Sequence, residues 1–416
     1  MMPGFLVGID VGTTYCKAAV VDGDGAPRAH GRVLTPWRRV PTGAEVDPER
    51  LVQAAVSAAR RTLERLPAAR IEAVGVTSMA ETGALLDADG GPVAPAIAWH
   101  DERGAKEADA LESDLGSERF TEATGLPASP LCTLSKYRWL RAHHDGSESG
   151  VRWLNVAEWI VRSLGGDEVG DLSLGSRTGM LELDRRAPWA EALEWADAPA
   201  GLLPSPAPSG TPAGRVTRGF EPARGAVLCV AGHDHLCAAI GAGAVREGDV
   251  FDSCGSAEAF VRSVEPPLPA ESRLRAVAGG VTVGWHAVPD RLALLGGFES
   301  GLALQRVGRV LGGEDVDEVD AEARAVLESL ATRGEAILRT IEEVAGRTRR
   351  IVVSGGGAQS EAVLAIKRSA LGPFERPPVQ EAGARGAALL AGCAAGVFAG
   401  VGELPAPEPA VMEAPS

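Results

Sequence analysis

No two of the six cysteines (Cys16, Cys132, Cys229, Cys237, Cys254 and Cys393) stand in C-x-x-C spacing. That excludes a zinc ribbon or a dithiol redox centre, and leaves them as small apolar fillers in a reducing compartment. Long apolar runs are missing as well; none approaches the roughly 18 residues that a membrane span needs. The first apolar segment has no basic region before it, so a secretory signal is not expected. A soluble, cytoplasmic protein with no membrane partner follows. Positive charge is scarce: 41 Lys and Arg against 56 Asp and Glu give a net charge of −15. Nucleic-acid surfaces carry basic patches, so no nucleic-acid partner is expected. Lysine is the rarest basic residue, confined to Lys17, Lys106, Lys136 and Lys367. What remains is a chain of 416 residues, 45% apolar. That is enough to fold and too long for one ordinary core, so two domains are expected.

The stretch FLVGIDVGTTYCKAAVVDGDG, Phe5 to Gly25, organises the rest. Phe5 to Ile9 is short, apolar and β-branched, as a buried strand is. Asp10-Val11-Gly12-Thr13-Thr14 makes a small-residue turn, Cys16 to Val21 reads as the returning strand, and Asp22-Gly23-Asp24-Gly25 closes it with turn chemistry. A tip of Gly12, Thr13 and Thr14 points amides and hydroxyls at one place, which suits a phosphate. Asp10 stands where the strand runs out, placed to hold a cation beside that anion. Lys17 near this turn suits either the phosphate or a salt bridge. Gly248 to Val261 repeats the pattern, with Gly255 and Ser256 at its tip.

Two such hairpins about half a chain apart imply two related domains, each offering a phosphate-gripping tip to a shared cleft. This arrangement resembles the actin-like, ribonuclease H-like ATPase fold. The α/β class agrees: Asp47-Pro48-Glu49-Arg50 has cap, proline and acid where a helix start wants them. That helix runs to about Leu66, and Ile71 to Thr77 is the next strand.

Further motifs narrow the resemblance. Leu85-Leu86-Asp87-x-Asp89-Gly90, Pro95-Ala96-Ile97-x-Trp99-x-Asp101-x-Arg103, Thr124-Gly125, Lys136-x-x-Trp139-Leu140 and Ser173-x-x-Ser176-Arg177-Thr178-Gly179 follow in order. With the opening hairpin they resemble the FGGY family of carbohydrate kinases, close to xylulose kinases, over nearly the whole chain. The resemblance implies duplicated domains, 1–224 and 225–416, with a cleft between them. It also implies ATP and Mg²⁺, a small sugar, ketose or polyol as partner, and room for a homodimer. The Mg²⁺ site maps to Asp10 and the phosphates to both hairpin tips.

Cys229-Val230-Ala231-Gly232-His233-Asp234-His235 matches the family's G-x-x-D segment, whose aspartate is the catalytic base; that role maps to Asp234. Read alone, an aspartate there caps the helix that follows. His233 and His235 suggest a metal, but no third ligand stands near. Sugar contacts map to Glu81, Asp101 and Arg103, although the two acids also fit solvated loops. Xylulose kinases usually have Q-M-H-G where this chain has Met79-Ala80-Glu81-Thr82, which argues against plain D-xylulose. The Ser354-Gly355-Gly356-Gly357-Ala358-Gln359-Ser360 turn lies between a strand and a helix. It maps to the adenosine, through Gly355, Gly356, Gly357 and Ser360.

The chain also departs from the family. The long block expected before the last long helix is absent, since Val307 to Gly312 runs almost directly into Glu314-Asp315-Val316-Asp317. The second domain is therefore expected to be short. The K-A-D of the next helix reads Lys367-Arg368-Ser369, one carboxylate fewer. From Glu403 a loose tail is expected. Two other readings stay open: a non-catalytic relative that binds nucleotide or sugar, and an ATPase of the actin or heat-shock type. The W-x-D-x-R and S-R-T-G segments argue against the second.

Overall fold

The computed structural model describes residues 4–67, 69–255, 257–298, 321–407 and 411–413. Two mixed sheets organise it. In the first, Phe5–Val11 pairs antiparallel with Tyr15–Val21, which pairs antiparallel with Pro27–Leu34. On its other side Phe5–Val11 lies parallel to Ile71–Ser78, and that strand lies parallel to Val227–His233. Phe5–Val11 and Ile71–Ser78 are buried almost throughout because both faces of this sheet are covered. Pro27–Leu34 alternates exposed and half-buried positions, as an edge strand does.

The second sheet repeats this order. Asp249–Cys254 pairs antiparallel with Glu258–Val264, which pairs antiparallel with Leu292–Phe298. Beyond Asp249–Cys254 come two parallel strands, Arg350–Ser354 and Phe374–Arg376. The first three strands of the first sheet form a meander, whereas in the second Val281–Trp285 intervenes in the chain and lies at the edge, against Leu292–Phe298; each sheet adds two strands parallel to its first. Both expected hairpins are present and start their own sheets. The helix Pro48–Leu63 covers the outer face of the first, capped by Asp47 Oδ1, which accepts from the Glu49 N–H at 2.9 Å.

In both halves the second of these parallel strands leads into a helix of small residues: Asp234–Gly241 after the first and Ala382–Ala394 after the second. These two helices cross at backbone contact. A Cβ on Gly386 would lie 1.9 Å from the Cys237 carbonyl oxygen, and one on Gly241 would lie 2.0 Å from that of Ala382. The Ala382–Ala394 helix also lies on the first sheet, where a Cβ on Gly8 would meet Ala384 O at 1.8 Å and one on Gly75 would meet Ala387 O at 2.1 Å. Glycines at both sites let two backbones approach where any side chain would hold them apart.

Two expectations need adjustment, and a third falls outside the described residues. The division at 224/225 falls one strand early, because Val227–His233 belongs to the first sheet and the chain leaves it only at Asp234. The tail after Glu403 lends Val411–Glu413 to the edge of the second sheet, against Phe374–Arg376. The junction from Val307 to Asp317, where the missing block was expected, lies outside the described residues. No helix among the described residues is long and apolar enough to cross a membrane.

Candidate active site

The first hairpin tip is tied down from behind. Thr35 Oγ1 donates to the Gly12 carbonyl at 2.8 Å, and Trp37 Nε1 to the Thr13 carbonyl at 2.7 Å. Trp99 Nε1 donates to Thr13 Oγ1 at 2.8 Å. The Gly12-Thr13-Thr14 turn is therefore held from three sides.

Four charged groups converge beside it. Asp10 stands opposite Lys17 in the hairpin register, and Lys17 Nζ lies 3.0 Å from Glu381 Oε2. Asp234 opens the first crossing helix and Glu381 sits at the cap position of the second, so the duplicated fold places one acid at the start of each. Asp10 is 6% exposed, and its Oδ1 has no hydrogen-bond partner. Burial, with Asp234 and Glu381 adding repulsion against the pull of Lys17, raises its carboxyl to about 7. Asp234 moves the other way. Burial pushes it up, but His235, His233, the His235 N–H and Lys17 outweigh that and hold it below the ordinary carboxylate value. Lys17 stays charged because Asp10 and Glu381 overcome its burial. When ionised, this oxygen is acceptor-only, and buried and unpaired among carboxylates it fits a hard divalent cation such as Mg²⁺.

The turn that carries Asp234 is braced through a buried chain. Gly232 has φ +108°, and a Cβ there would meet Ser173 Oγ at 2.5 Å. Thr77 Oγ1 donates to the Gly232 carbonyl at 2.6 Å, and the His233 N–H donates to Ser173 Oγ at 2.9 Å. Ser173 Oγ donates to Asp171 Oδ1 at 2.5 Å, and the Asp171 N–H donates to Glu158 Oε1 at 2.8 Å. Burial raises the Glu158 carboxyl from 4.5 to about 7 despite those donors. Below pH 4.5 Glu158 is protonated in both the folded and the unfolded chain. As pH rises toward 7 only the unfolded chain gains by ionising, so the contribution of Glu158 to stability is lost as pH passes through about 7. Relative to Glu158→Gln, the native protein is expected to lose about 3 kcal/mol between pH 4.5 and 7.5, measured by urea denaturation at each pH. A difference that does not change with pH would contradict this.

Glu81 has φ +58°, and its Oε1 receives Arg177 Nε at 2.7 Å. Arg177 Nη1 continues to Thr282 Oγ1 in the second domain at 2.7 Å. Lys136, fully buried, donates to the carbonyls of Trp99 at 2.7 Å, Leu131 at 3.0 Å and Glu81 at 3.4 Å. Its burial pulls the ammonium down to about 8. Glu81 and Arg177 both act electrostatically on the His233 imidazole, whose Nε2 lies 3.3 Å from Asp234 Oδ1.

Asp101 and Arg103 are placed differently from expectation. Asp101 is 0% exposed; it receives Arg103 Nε at 2.9 Å, Nη2 at 2.8 Å and the Ala44 N–H at 3.0 Å. Arg103 Nη1 reaches Glu45 Oε2 at 2.7 Å. These groups face one another and brace the loops around Trp99, instead of opening to a substrate. A surface depression of ≈ 570 Å³ near them, lined by Arg38, Glu45, Asp47 and His144 among others, contains none of the converging residues.

On the second side, Gly255 and Gly356 are exposed and Gly355 has φ +117°. Ser360 caps the following helix, its Oγ accepting from the Val363 N–H at 3.4 Å. Ser256 lies outside the described residues. His233 Nε2 is 3.3 Å from Asp234 Oδ1, whereas His235 Nδ1 turns to Ser253 Oγ at 3.1 Å. Burial lowers His233 to about 4, so its imidazole is neutral at pH 7. The two histidines do not converge with a third ligand among the described residues. Sequence analysis assigns no role to Glu381 or Arg177; Arg177 stands inside the S-R-T-G segment, which is the available signal for it.

Residues 5–241 match the N-terminal-domain model of the FGGY carbohydrate kinases, and residues 278–395 match the C-terminal-domain model. The chain belongs to the FGGY family of carbohydrate kinases. Its relatives include a glycerol kinase of Aromatoleum aromaticum, 29% identical over 96% of this chain and 92% of that protein. A glycerol kinase of Saccharolobus islandicus is 25% identical over 96% and 90%. The first alignment spans 466 positions, more than the 416 residues here, so that relative carries segments this kinase lacks. In fold, it superposes on a xylulose kinase from Rhodospirillum rubrum with TM-score 0.86 at 21% identity, covering 99% and 94% of the two chains. A Plasmodium falciparum glycerol kinase with ADP gives TM-score 0.86 at 15% identity, covering 98% and 94%. This kinase therefore has the duplicated actin-like fold and is an ATP-dependent phosphotransferase of a family that uses Mg²⁺.

Proposed function

We propose that this kinase transfers the ATP γ-phosphoryl group to a hydroxyl of a small polyol or ketose, with Asp234 as general base. The observation that carries this reading is the convergence of Asp10, Lys17, Asp234 and Glu381 at the hairpin tip, with Asp234 held ionised. Glu81 and Arg177 border the acceptor and orient its hydroxyls. Asp234 takes the proton of the attacking hydroxyl as its oxygen bonds phosphorus and the bond to the ADP oxygen breaks. Lys17 and the amides and hydroxyls of Gly12, Thr13 and Thr14 orient the phosphates. Gly255 meets them from the second domain, and Gly355, Gly356, Gly357 and Ser360 hold the adenosine. Asp10, with Asp234 and Glu381 near, would hold Mg²⁺. When bound, the ion neutralises charge on the transferring phosphoryl oxygens. Six free cysteines, five of them buried, suit a reducing cytoplasm.

The acceptor class is supported by the glycerol kinase names among relatives and by Glu81, which accepts hydrogen bonds from hydroxyls. The test compares kcat/KM for glycerol, pentitols, pentuloses, hexuloses and the corresponding aldoses. A polyol or ketose is expected to lead, and aldoses turned over equally well would overturn the assignment. Glu81→Gln is expected to raise the KM of the leading acceptor about tenfold and leave the KM for ATP unchanged. A rise confined to ATP would place Glu81 elsewhere.

A further inference from the structure

Beneath the second hairpin lies a buried charge cluster that the reaction does not use. Asp252, Cys254 and Glu258 hold their ligand atoms within 4.8 Å of one another, all buried. Three such donors would suit a divalent ion. The cation here is the chain's own: Lys367 Nζ lies 2.6 Å from Asp252 Oδ2 and 2.6 Å from Glu258 Oε1. It also lies 5.5 Å from the centre of the Phe260 ring. Asp252 and Glu258 stand on the two strands of the hairpin, one on each side of its tip. Lys367 comes from the helix Glu361–Leu371, which begins directly after the glycine turn. Turn and tip touch: a Cβ on Gly355 would lie 2.5 Å from the Cys254 carbonyl oxygen, and one on Gly357 would lie 3.2 Å from Cys254 Cβ.

A lysine buried on one element, between two carboxylates on another, fixes their spacing. Removing it takes away the ammonium that stands between the two buried carboxylates and leaves their repulsion less compensated. We propose that Lys367 is a positioning residue for the nucleotide. Its ammonium clamps the second phosphate hairpin to the glycine turn, so that the groups facing the phosphates and those facing the adenosine keep one separation. The inference rests on the nucleotide assignments under Proposed function.

The test uses the full chain with Mg²⁺ held constant. Lys367→Met/Glu258→Gln removes the clamp and keeps the cluster's net charge, so electrostatic repulsion is not the variable. The folded variant is expected to bind Mg·ATP about tenfold more weakly by calorimetry, with KM for ATP raised and the acceptor KM unchanged. Amide exchange across Asp252 to Glu258 should also quicken. A purely structural role would lower the melting temperature and leave the affinity of the folded fraction unchanged; that result overturns the proposal. If the double variant does not fold, Glu258→Gln alone, which keeps the Asp252 pair, is expected to weaken ATP about threefold. Unchanged affinity there overturns the proposal equally. Gly355→Ala separates the two layers. If it weakens ATP while the Lys367 variants do not, only the clamp fails; if none of them weakens ATP, the nucleotide assignment fails with it.

Discussion

Asp234→Asn is expected to lower kcat by about 10²–10⁴-fold while leaving the KM for ATP within a few-fold of wild type. Asparagine keeps the volume of aspartate and can still accept the His235 N–H, which donates to Asp234 Oδ1 at 2.7 Å. What it cannot do is take a proton. The substitution also separates the catalytic role from a capping one. The cap position of this helix belongs to His233, with Asp234 as the first helical residue, and asparagine is as good a helix-start residue as aspartate. A variant with kcat within threefold of wild type would show that Asp234 only organises the helix. Steady-state rates with the leading acceptor, with melting temperature as the folding control, decide it.

The second large effect is structural. Gly386→Val is expected to destabilise the protein by about 3 kcal/mol or more, measured by urea denaturation. The atoms that its Cβ would meet, Cys237 O at 1.9 Å and Cys237 C at 2.7 Å, are backbone and cannot rotate away. The helices must separate, and with them Gly383, whose own Cβ position lies 2.6 Å from Asp10 Oδ2. Asp10 and Asp234 would then lose their relative placement, so catalysis should fall beyond what the unfolded fraction explains. A valine variant within 0.5 kcal/mol of wild type would mean that the helices do not cross this closely.

The hairpins were legible because their signal is local. Apolar strands that break at Asp10-Val11-Gly12-Thr13-Thr14 need no knowledge of the rest of the chain, and the second copy supplied the duplication. The position of Asp234, at the end of an apolar strand and the start of a small-residue helix, was legible in the same way, whereas its role as base came only from the family resemblance. Sheet membership of Val227–His233 was not, because its partner Ile71–Ser78 lies far back in the chain and strand pairing leaves no local mark. The Asp101–Arg103 pair shows the same limit. A D-x-R spacing reads equally as a substrate site or an internal ion pair, and the distant Glu45 turns it inward. Glu381 needed the crossing of two helices from different domains to bring it against Lys17, and Arg177 needed Glu81 and Thr282. Lys367 appeared only as one of four lysines and as the lysine kept from K-A-D; its two carboxylate partners stand more than a hundred residues earlier.

The most direct measurement of the central claim is ³¹P NMR of the purified chain with Mg·ATP, with and without glycerol or the leading acceptor. A phosphate monoester resonance that grows in step with ADP, and only when acceptor is present, is the result expected of a cleft that delivers the phosphoryl group to a bound hydroxyl. Inorganic phosphate growing with ADP regardless of acceptor, or no ADP with any acceptor, would contradict it.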